Sequence, residues 1–192
     1  MQRPLVVGTM AGTARRAELV DKRSMQEGDR ILVSKGVAVE GTGLLAREFA
    51  DRLRLAGMNE QEIGECRAFL DRVSILDEAR VARSVPGVTA MHDVTEGGIA
   101  TALLELSVAG GHALRVDKDK IPVYPQTARI CALLGLDPLG LIGSGSLLIT
   151  CAPSAVGAIV AGVRAKGIEI TEIGEVLGPG EGVQARENGA PA

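Results

Sequence analysis

The chain has 192 residues, a formal net charge of −3 and 46% hydrophobic residues, which suits one compact domain with a sizeable core rather than two full domains. Aromatic residues make up only 2% of the sequence and the charge balance is slightly acidic, so we expect no nucleic-acid partner. Three widely spaced cysteines and the lack of long apolar runs indicate a cytoplasmic protein with reduced thiols and no membrane span.

The first half of the chain predicts two strands and three helices. Pro4–Thr13 resembles a strand with a glycine-rich exit, and Arg30–Ser34 is a continuous apolar run typical of a strand buried on both faces. Apolar residues at helical spacing predict helices over 40–55 and 75–85. Between them, Asn59–Glu62 has the form of a capping box and predicts the start of another helix.

The second half continues the alternation. It predicts, in order, a strand at Val88–Met91, a helix from Gly98, a strand at Ala113–Val116, a helix over Tyr124–Leu134, a strand at Gly145–Thr150, a helix from Pro153 to about Lys166, a last strand at Ile168–Val176 and a frayed end from Gly178. Strands alternating with helices predict an α/β (α+β) fold, in which a mixed β-sheet is layered with helices.

The segment from Gly87 to Gly98 has the pattern of an anion-binding corner, because an apolar run ends in acidic and hydroxyl residues and two glycines before a helix opens. In this interpretation Gly97 and Gly98 let the backbone approach a phosphate, Asp93 orients the turn or meets a metal, and His92 donates to substrate or phosphate. The alternative is structural: Asp93 caps the helix together with Glu96, the glycines ease the turn, and the histidine has no role in binding.

Two further segments are candidates for the same site. Ser144 and Gly145 precede a buried strand and offer a hydroxyl and bare backbone, or alternatively form only a tight turn. Lys35 and Glu40 follow the first buried strand and face a binding cleft or, equally well, form a solvated pair in a loop.

Three motifs, in the order that the family shows, carry a resemblance to a known family. They are Met-His-Asp-Val-Thr-Glu-Gly-Gly-Ile-Ala at Met91–Ala100, Gly-Asp-Arg-Ile-Leu-Val-Ser-Lys at Gly28–Lys35 followed by Glu-Gly-Thr at Glu40–Thr42, and Gly-Ser-Gly-Ser-Leu-Leu-Ile at Gly143–Ile149. Over residues 28–176 the chain resembles the C-terminal domain of the AIR synthase-related (PurM-like) superfamily. The Asp-x-Thr-x-Gly-Gly form is similar to the branch of hydrogenase maturation factor HypE.

The resemblance implies an ATP- and Mg²⁺-dependent enzyme that phosphorylates an amide or carbonyl oxygen of a small-molecule or peptide-borne substrate, in a cleft between two domains. It implies catalytic roles for Asp93 and His92 and no metal ligand in this chain. The residues it implies for cofactor binding are Thr95, Gly97, Gly98, Ser144, Gly145 and Lys35.

The resemblance also implies a domain organisation. Residues 1–27 would be a remnant of an N-terminal domain with its linker, residues 28–178 the AIR synthase-related C-terminal domain, and residues 179–192 a flexible tail. Members of the superfamily carry an N-terminal domain that supplies much of the ATP and metal site and the main dimer surface. We therefore expect half of a catalytic cleft, inactive without an N-terminal ATP-binding domain or its supplier, and a homo-oligomer. The alternative is a non-catalytic binding or assembly module.

Overall fold

A computed structural model describes residues 7–191, and its strands form one sheet. The strands are β1 (Arg30–Ser34), β2 (Val88–Asp93), β3 (His112–Asp117), β4 (Leu147–Cys151), β5 (Ile170–Pro179), β6 (Val183–Glu187) and β7 (Ala190–Pro191). They lie in the order β2-β4-β1-β5-β3-β6-β7. The pair β3 and β6 is parallel and the other neighbours are antiparallel, so the predicted mixed sheet is confirmed.

The helices match the predicted order. They are α1 (Val39–Glu48), α2 (Ala50–Leu55), α3 (Glu60–Arg67), α4 (Leu76–Ser84), α5 (Gly98–Gly110), α6 (Pro125–Leu134) and α7 (Val156–Arg164), with short 3₁₀ turns between several of them. The predicted capping box is present, because the Asn59 side chain accepts from the Glu62 N–H while the Glu62 carboxylate accepts from the Asn59 N–H. The single helix expected over 40–55 is interrupted at Phe49, whose backbone leaves helical geometry.

Helices cover both faces of the sheet. Alternate residues of the central strands point to opposite sides, so Ile31 and Val33 pack against α5 while Leu32 packs against α4 and α7. A third apolar cluster joins α1, α2, α3 and α6 beside the sheet. The result is three layers, with the ends of β1 and β2 leading into α1 and α5.

The start of the described chain differs from the expectation of a strand at Pro4–Thr13. Residues 4–6 lie outside the described part, and residues 7–13 form no strand. Val7 and Met10 are exposed, so this segment buries little apolar surface to offset the entropy cost of ordering. Among the described residues, the first that is buried in the core is Met25, which packs against α5.

The end of the chain also differs from the expectation of fraying after Gly178. β5 continues to Pro179, and β6 then pairs with the free edge of β3 from Leu114↔Val183 to Asp117↔Arg186. Val183 packs against the main core, and this burial together with the ladder orders the segment. Among the described residues, no helix has both the length and the apolar character needed to cross a membrane.

The cysteines provide a test of the core. Cys66, Cys131 and Cys151 are free and buried, and burial raises the pKa of Cys66 and Cys151 to about 11 from an ordinary value of 9.0. We expect all three thiols to resist a thiol reagent in the folded protein and to react in denaturant. A thiol that reacts rapidly in the native state would contradict this burial.

The raised pKa values of Cys66 and Cys151 also make stability depend on pH. The protonated thiols stabilise the folded state below pH 9.0, and this contribution is lost as the pH rises towards 11, so the free energy of unfolding should fall over that window.

Candidate functional site

The connection from β1 to α1 has an unusual backbone. Lys35 and Ala38 both adopt left-handed conformations with φ of 57°, a region that costs a residue with a side chain about 1 kcal/mol or more. Such strain persists only where surrounding contacts hold it, and it is common near binding sites. At Lys35 those contacts come from the side chain, which reaches into the protein interior.

The connection from β2 to α5 forms the predicted corner of strand, turn and helix. β2 ends at Asp93, whose side chain is 57% exposed, and Val94 turns into the core. Gly97 and Gly98 then adopt φ of 76° and 64°, and α5 begins at Gly98. No side chain caps this helix, so the alternative in which Asp93 and Glu96 form a capping box is wrong.

A loop of residues 137–146, here called the bridging loop, connects α6 to β4 and contacts both corners. The carbonyl of Leu139 accepts from the Ala100 N–H of α5 at 3.1 Å. The carbonyls of Ile142 and Ser144 accept from the Gly41 and Glu40 N–H groups of α1 at 3.0 and 3.2 Å. The bridging loop therefore supplies acceptors to the starts of two helices, which otherwise leave backbone donors without partners.

Other hydrogen bonds draw the same three segments together. Gly143 N–H donates to the Thr95 carbonyl at 3.2 Å, and Val94 N–H donates to the Ser146 carbonyl at 3.0 Å. The Ser146 hydroxyl donates to the Gly36 carbonyl at 2.7 Å. The three motifs singled out in the sequence thus meet at one edge of the sheet.

Gly98 is required by the close approach of the bridging loop. A Cβ at this position would lie 2.4 Å from the Leu139 carbonyl oxygen and 2.7 Å from that of Leu141, closer than any real contact. The lack of a side chain at Gly98 therefore makes room for the backbone of the bridging loop. Its N–H is also engaged, because it donates to the Thr95 carbonyl at 3.1 Å.

Three amides of the bend remain available. Within residues 7–191, the N–H groups of Thr95, Glu96 and Gly97 have no acceptor, whereas those of Val94, Gly98 and Ala100 donate to protein carbonyls. The sequence pattern indicated that the backbone amides of residues 93–98 are open to an anion. The structure narrows the available donors to the exposed tip of the bend.

His92 is held by two partners. The Lys22 ammonium lies 2.9 Å from Nδ1 and the Glu105 carboxylate lies 2.9 Å from Nε2. The ammonium can only donate, so Nδ1 accepts and the proton of the neutral ring sits on Nε2, where it donates to Glu105. The ring joins the segment before β1 to β2 and α5, and its Nδ1 is 3.7 Å from the Asp93 carboxylate.

Lys35 pairs with a residue other than Glu40. Its ammonium is 2.7 Å from the Glu78 carboxylate, and it also donates to the carbonyls of Ser74 at 2.7 Å and Gly145 at 2.8 Å. Both side chains of the pair are buried. Lys35 therefore fixes the bridging loop, and the three acceptors use all three of its N–H donors.

Sequence reasoning missed Glu78. It lies on the buried face of α4 four residues before Ala82, so a carboxylate in the apolar stripe of a helix was the available signal. Ser34 completes the cluster, because its hydroxyl donates to Glu78 at 3.1 Å and accepts from the Leu147 N–H at 3.0 Å.

A Mg²⁺ site does not fit the residues present. In the described part of the chain, no group of three or more histidine, cysteine, aspartate or glutamate side chains is placed to hold a metal ion. Asp93 and Glu96 are both exposed at the bend, but two carboxylates without further protein ligands do not form a dedicated metal cage.

Comparison with known proteins identifies the family. The family described as AIR synthase related protein, C-terminal domain, matches residues 26–185. The chain belongs to this family. The match spans the whole sheet up to β6 and includes all three segments of the site.

Two curated relatives and one solved structure define the similarity. Carbamoyl dehydratase HypE from Cupriavidus necator is 33% identical over 181 residues, which is 91% of this chain and 48% of the relative. Thiamine-monophosphate kinase from Caulobacter vibrioides is 31% identical over 200 residues, 97% of this chain and 52% of the relative. The crystal structure of Escherichia coli HypE has a TM-score of 0.71 at 24% identity and covers 89% of this chain and 50% of that one. The chain therefore spans about half the length of these proteins.

Replacement of Gly98 tests the packing of the bridging loop. We expect Gly98→Ala to lower the free energy of unfolding by at least about 2 kcal/mol, because alanine pays for the left-handed backbone and collides with two carbonyls. The matched control is Gly157→Ala in α7, where nothing lies within 4 Å of the added Cβ, and a small gain in stability is expected. Urea unfolding measures both, and equal stabilities of the two variants would contradict the close approach.

Proposed function

We propose that this chain is the C-terminal half of an ATP-dependent enzyme of the HypE-like branch, with residues 1–27 as the remnant of an N-terminal domain and its linker and with the C-terminal domain from residue 28 onward, β6 included. It contributes one wall of an interdomain cleft in which ATP phosphorylates an amide or carbonyl oxygen. Support comes from the similarity to carbamoyl dehydratases and to a thiamine-monophosphate kinase. A further structure with the same fold, at 20% identity and a TM-score of 0.65, is HypE in complex with ATP.

The observation that carries the proposal is the tip of the bend between β2 and α5. The N–H groups of Glu96 and Gly97 have no acceptor in the described chain and lie at the start of a helix, where the helix dipole favours negative charge. In the proposal they donate to phosphate oxygens. Thr95 and Gly98 shape the bend, since the Thr95 carbonyl holds both Gly98 and Gly143.

Asp93 has a different task from these amides. Its exposed carboxylate would repel a phosphate, so we assign it to the cation that the other half of the enzyme holds with the nucleotide. His92 acts as a positioning residue, because both ring nitrogens are engaged and the ring fixes the end of β2. Ser144, Gly145 and Lys35 position the bridging loop.

The partner in this proposal is an N-terminal ATP-binding domain, supplied by the same or another chain. Phosphoryl transfer depends on positioning and on neutralising phosphate charge, which backbone amides alone do not achieve. The Mg²⁺ ligands would come from that partner. One related solved structure is a complex of HypE with a second protein, HypF.

The second candidate function is a non-catalytic binding or assembly module. The observation that favours it is that the bridging loop already occupies much of both helix starts. In this case the bend would hold an anion without turnover, or none at all.

Nucleotide binding separates the two functions. We expect calorimetry with a non-hydrolysable ATP analogue and Mg²⁺ to detect binding only when the chain is joined to the N-terminal half of the Cupriavidus necator relative. Asp93→Ala in the joined protein should weaken that binding about tenfold, because a charged contact at the bend is lost. The matched control is Asp51→Ala in α2, an exposed carboxylate outside the site, which should leave the affinity unchanged. Unchanged affinity in Asp93→Ala would remove this residue from the site, and no binding in the joined protein would favour the non-catalytic module.

Self-association tests the proposed homo-oligomer. Leu104 and Val108 lie one turn apart on α5 and are 48% and 51% exposed, so they form an apolar stripe suited to a partner surface. We expect light scattering to show a concentration-dependent oligomer that Leu104→Lys with Val108→Lys converts to a monomer. Leu55→Lys in α2, at a residue that is 90% exposed, is the control and should keep the oligomer. If the wild-type chain stays monomeric as its concentration is raised, the proposal that this stripe is a partner surface is refuted.

A further inference from the structure

A second concave site lies away from the bend. It is a cleft of about 320 Å³ between the 3₁₀ turn Ala68–Arg72, the start of α4, Tyr124 and the turn at Gly167–Glu169. No residue of 93–98 lines it. Its volume suits a small molecule.

The buried pair of Lys35 and Glu78 lines this cleft, and only one of its two members has hydrogen-bonding capacity left. The Lys35 ammonium has an acceptor for each of its three N–H groups, on Glu78, Ser74 and Gly145. A phosphate or carboxylate ligand would find no free donor on this lysine.

Glu78 has an unused acceptor. Its Oε1 accepts from Lys35 at 2.7 Å and from the Ser34 hydroxyl at 3.1 Å. Its Oε2 is buried and has no hydrogen-bond partner within the described chain, although the side chain is only 1% exposed. A buried carboxylate oxygen without a donor is costly, so such an atom calls for a partner that the described residues do not supply.

The charge of the cleft favours a cation. Four carboxylates line it, those of Asp71, Asp77, Glu78 and Glu169, against the two cations of Lys35 and Arg72. Arg72 is already engaged, because its guanidinium carbon lies 5.3 Å from the centre of the Phe69 ring and 4.9 Å from that of Tyr124, and it donates to the Tyr124 hydroxyl at 3.0 Å. Excess negative charge raises the local concentration of cationic ligands.

We propose that this cleft binds a small molecule carrying a primary ammonium or amidinium group, which donates an N–H to Glu78 Oε2 while the rim carboxylates of Asp77 and Glu169 face its charge. The site is additional to the proposed nucleotide bend. The Lys35 contact to the Gly145 carbonyl connects it to the bridging loop. A ligand on Glu78 thus acts on the same pair that holds the loop beside the bend.

Methylammonium is the probe, and the whole chain in its wild-type form is the sample. We expect ¹H–¹⁵N NMR titration with methylammonium chloride to give saturable shifts confined to the amides of Ser74, Gly145, Gly167 and Glu169. Sodium chloride at equal ionic strength and sodium phosphate should give no such shifts, since the Lys35 ammonium has no free donor and the carboxylates lining the cleft outnumber its cations.

Glu78→Gln is the decisive variant. Its amide can still accept from Lys35, but it presents N–H donors where Oε2 was, so methylammonium affinity should fall at least about tenfold. Glu175→Gln in β5 removes a half-buried carboxylate outside the cleft and should leave the affinity unchanged. Far-UV circular dichroism establishes that each variant is folded.

A second variant keeps the test independent of the buried pair. Ile168→Trp enlarges a half-buried side chain that lines the cleft and should abolish the shifts while the pair stays intact. The proposal is overturned by shifts that do not saturate, by shifts that persist in Glu78→Gln or Ile168→Trp, or by phosphate binding in the cleft. None of these readouts depends on nucleotide, so the failure of this proposal and that of the ATP-dependent function are distinguishable.

Discussion

The site depends on one loop whose carbonyls occupy the starts of two helices. α1 and α5 both begin at the same edge of the sheet, and Leu139, Ile142 and Ser144 of the bridging loop accept from their first amides. These contacts need bare backbone at Gly98, because a Cβ there would collide with the loop. The loop therefore determines which part of each helix start a ligand can reach, and the tip of the β2–α5 bend remains accessible.

A buried ion pair holds the same loop from the end of β1. Lys35 adopts a left-handed backbone, and its ammonium spans Glu78, Ser74 and Gly145. Burying two charges is expensive, and their attraction compensates for it only with good geometry and full hydrogen bonding. Lys35 is fully hydrogen-bonded, whereas only one carboxylate oxygen of Glu78 has a hydrogen-bond partner in the described chain. The pair thus stabilises the loop and leaves an acceptor at the edge of a cleft.

Periodic apolar patterns predicted the helices and central strands well, because burial of one face is a local property of the sequence. The capping box at Asn59–Glu62 was predicted correctly because it too is local, with partners only three residues apart. β6 was missed, since Val183–Glu187 is mostly polar and is ordered by pairing with β3. The break at Phe49 and the lack of a strand over residues 7–13 likewise depend on what each segment packs against.

The sequence by itself determined the order of the elements from β1 to β5, the family and the three segments that build the site. Only the tertiary structure decided what those segments do to one another. Lys35 lies 43 residues from Glu78 and 110 from Gly145, whereas one interpretation of the sequence paired it with the nearer Glu40. The amides of Gly98 and Ala100 have acceptors in the folded chain, whereas a helix start viewed alone shows only free donors. Hydrogen bonding of this kind depends on distances that local pattern does not encode.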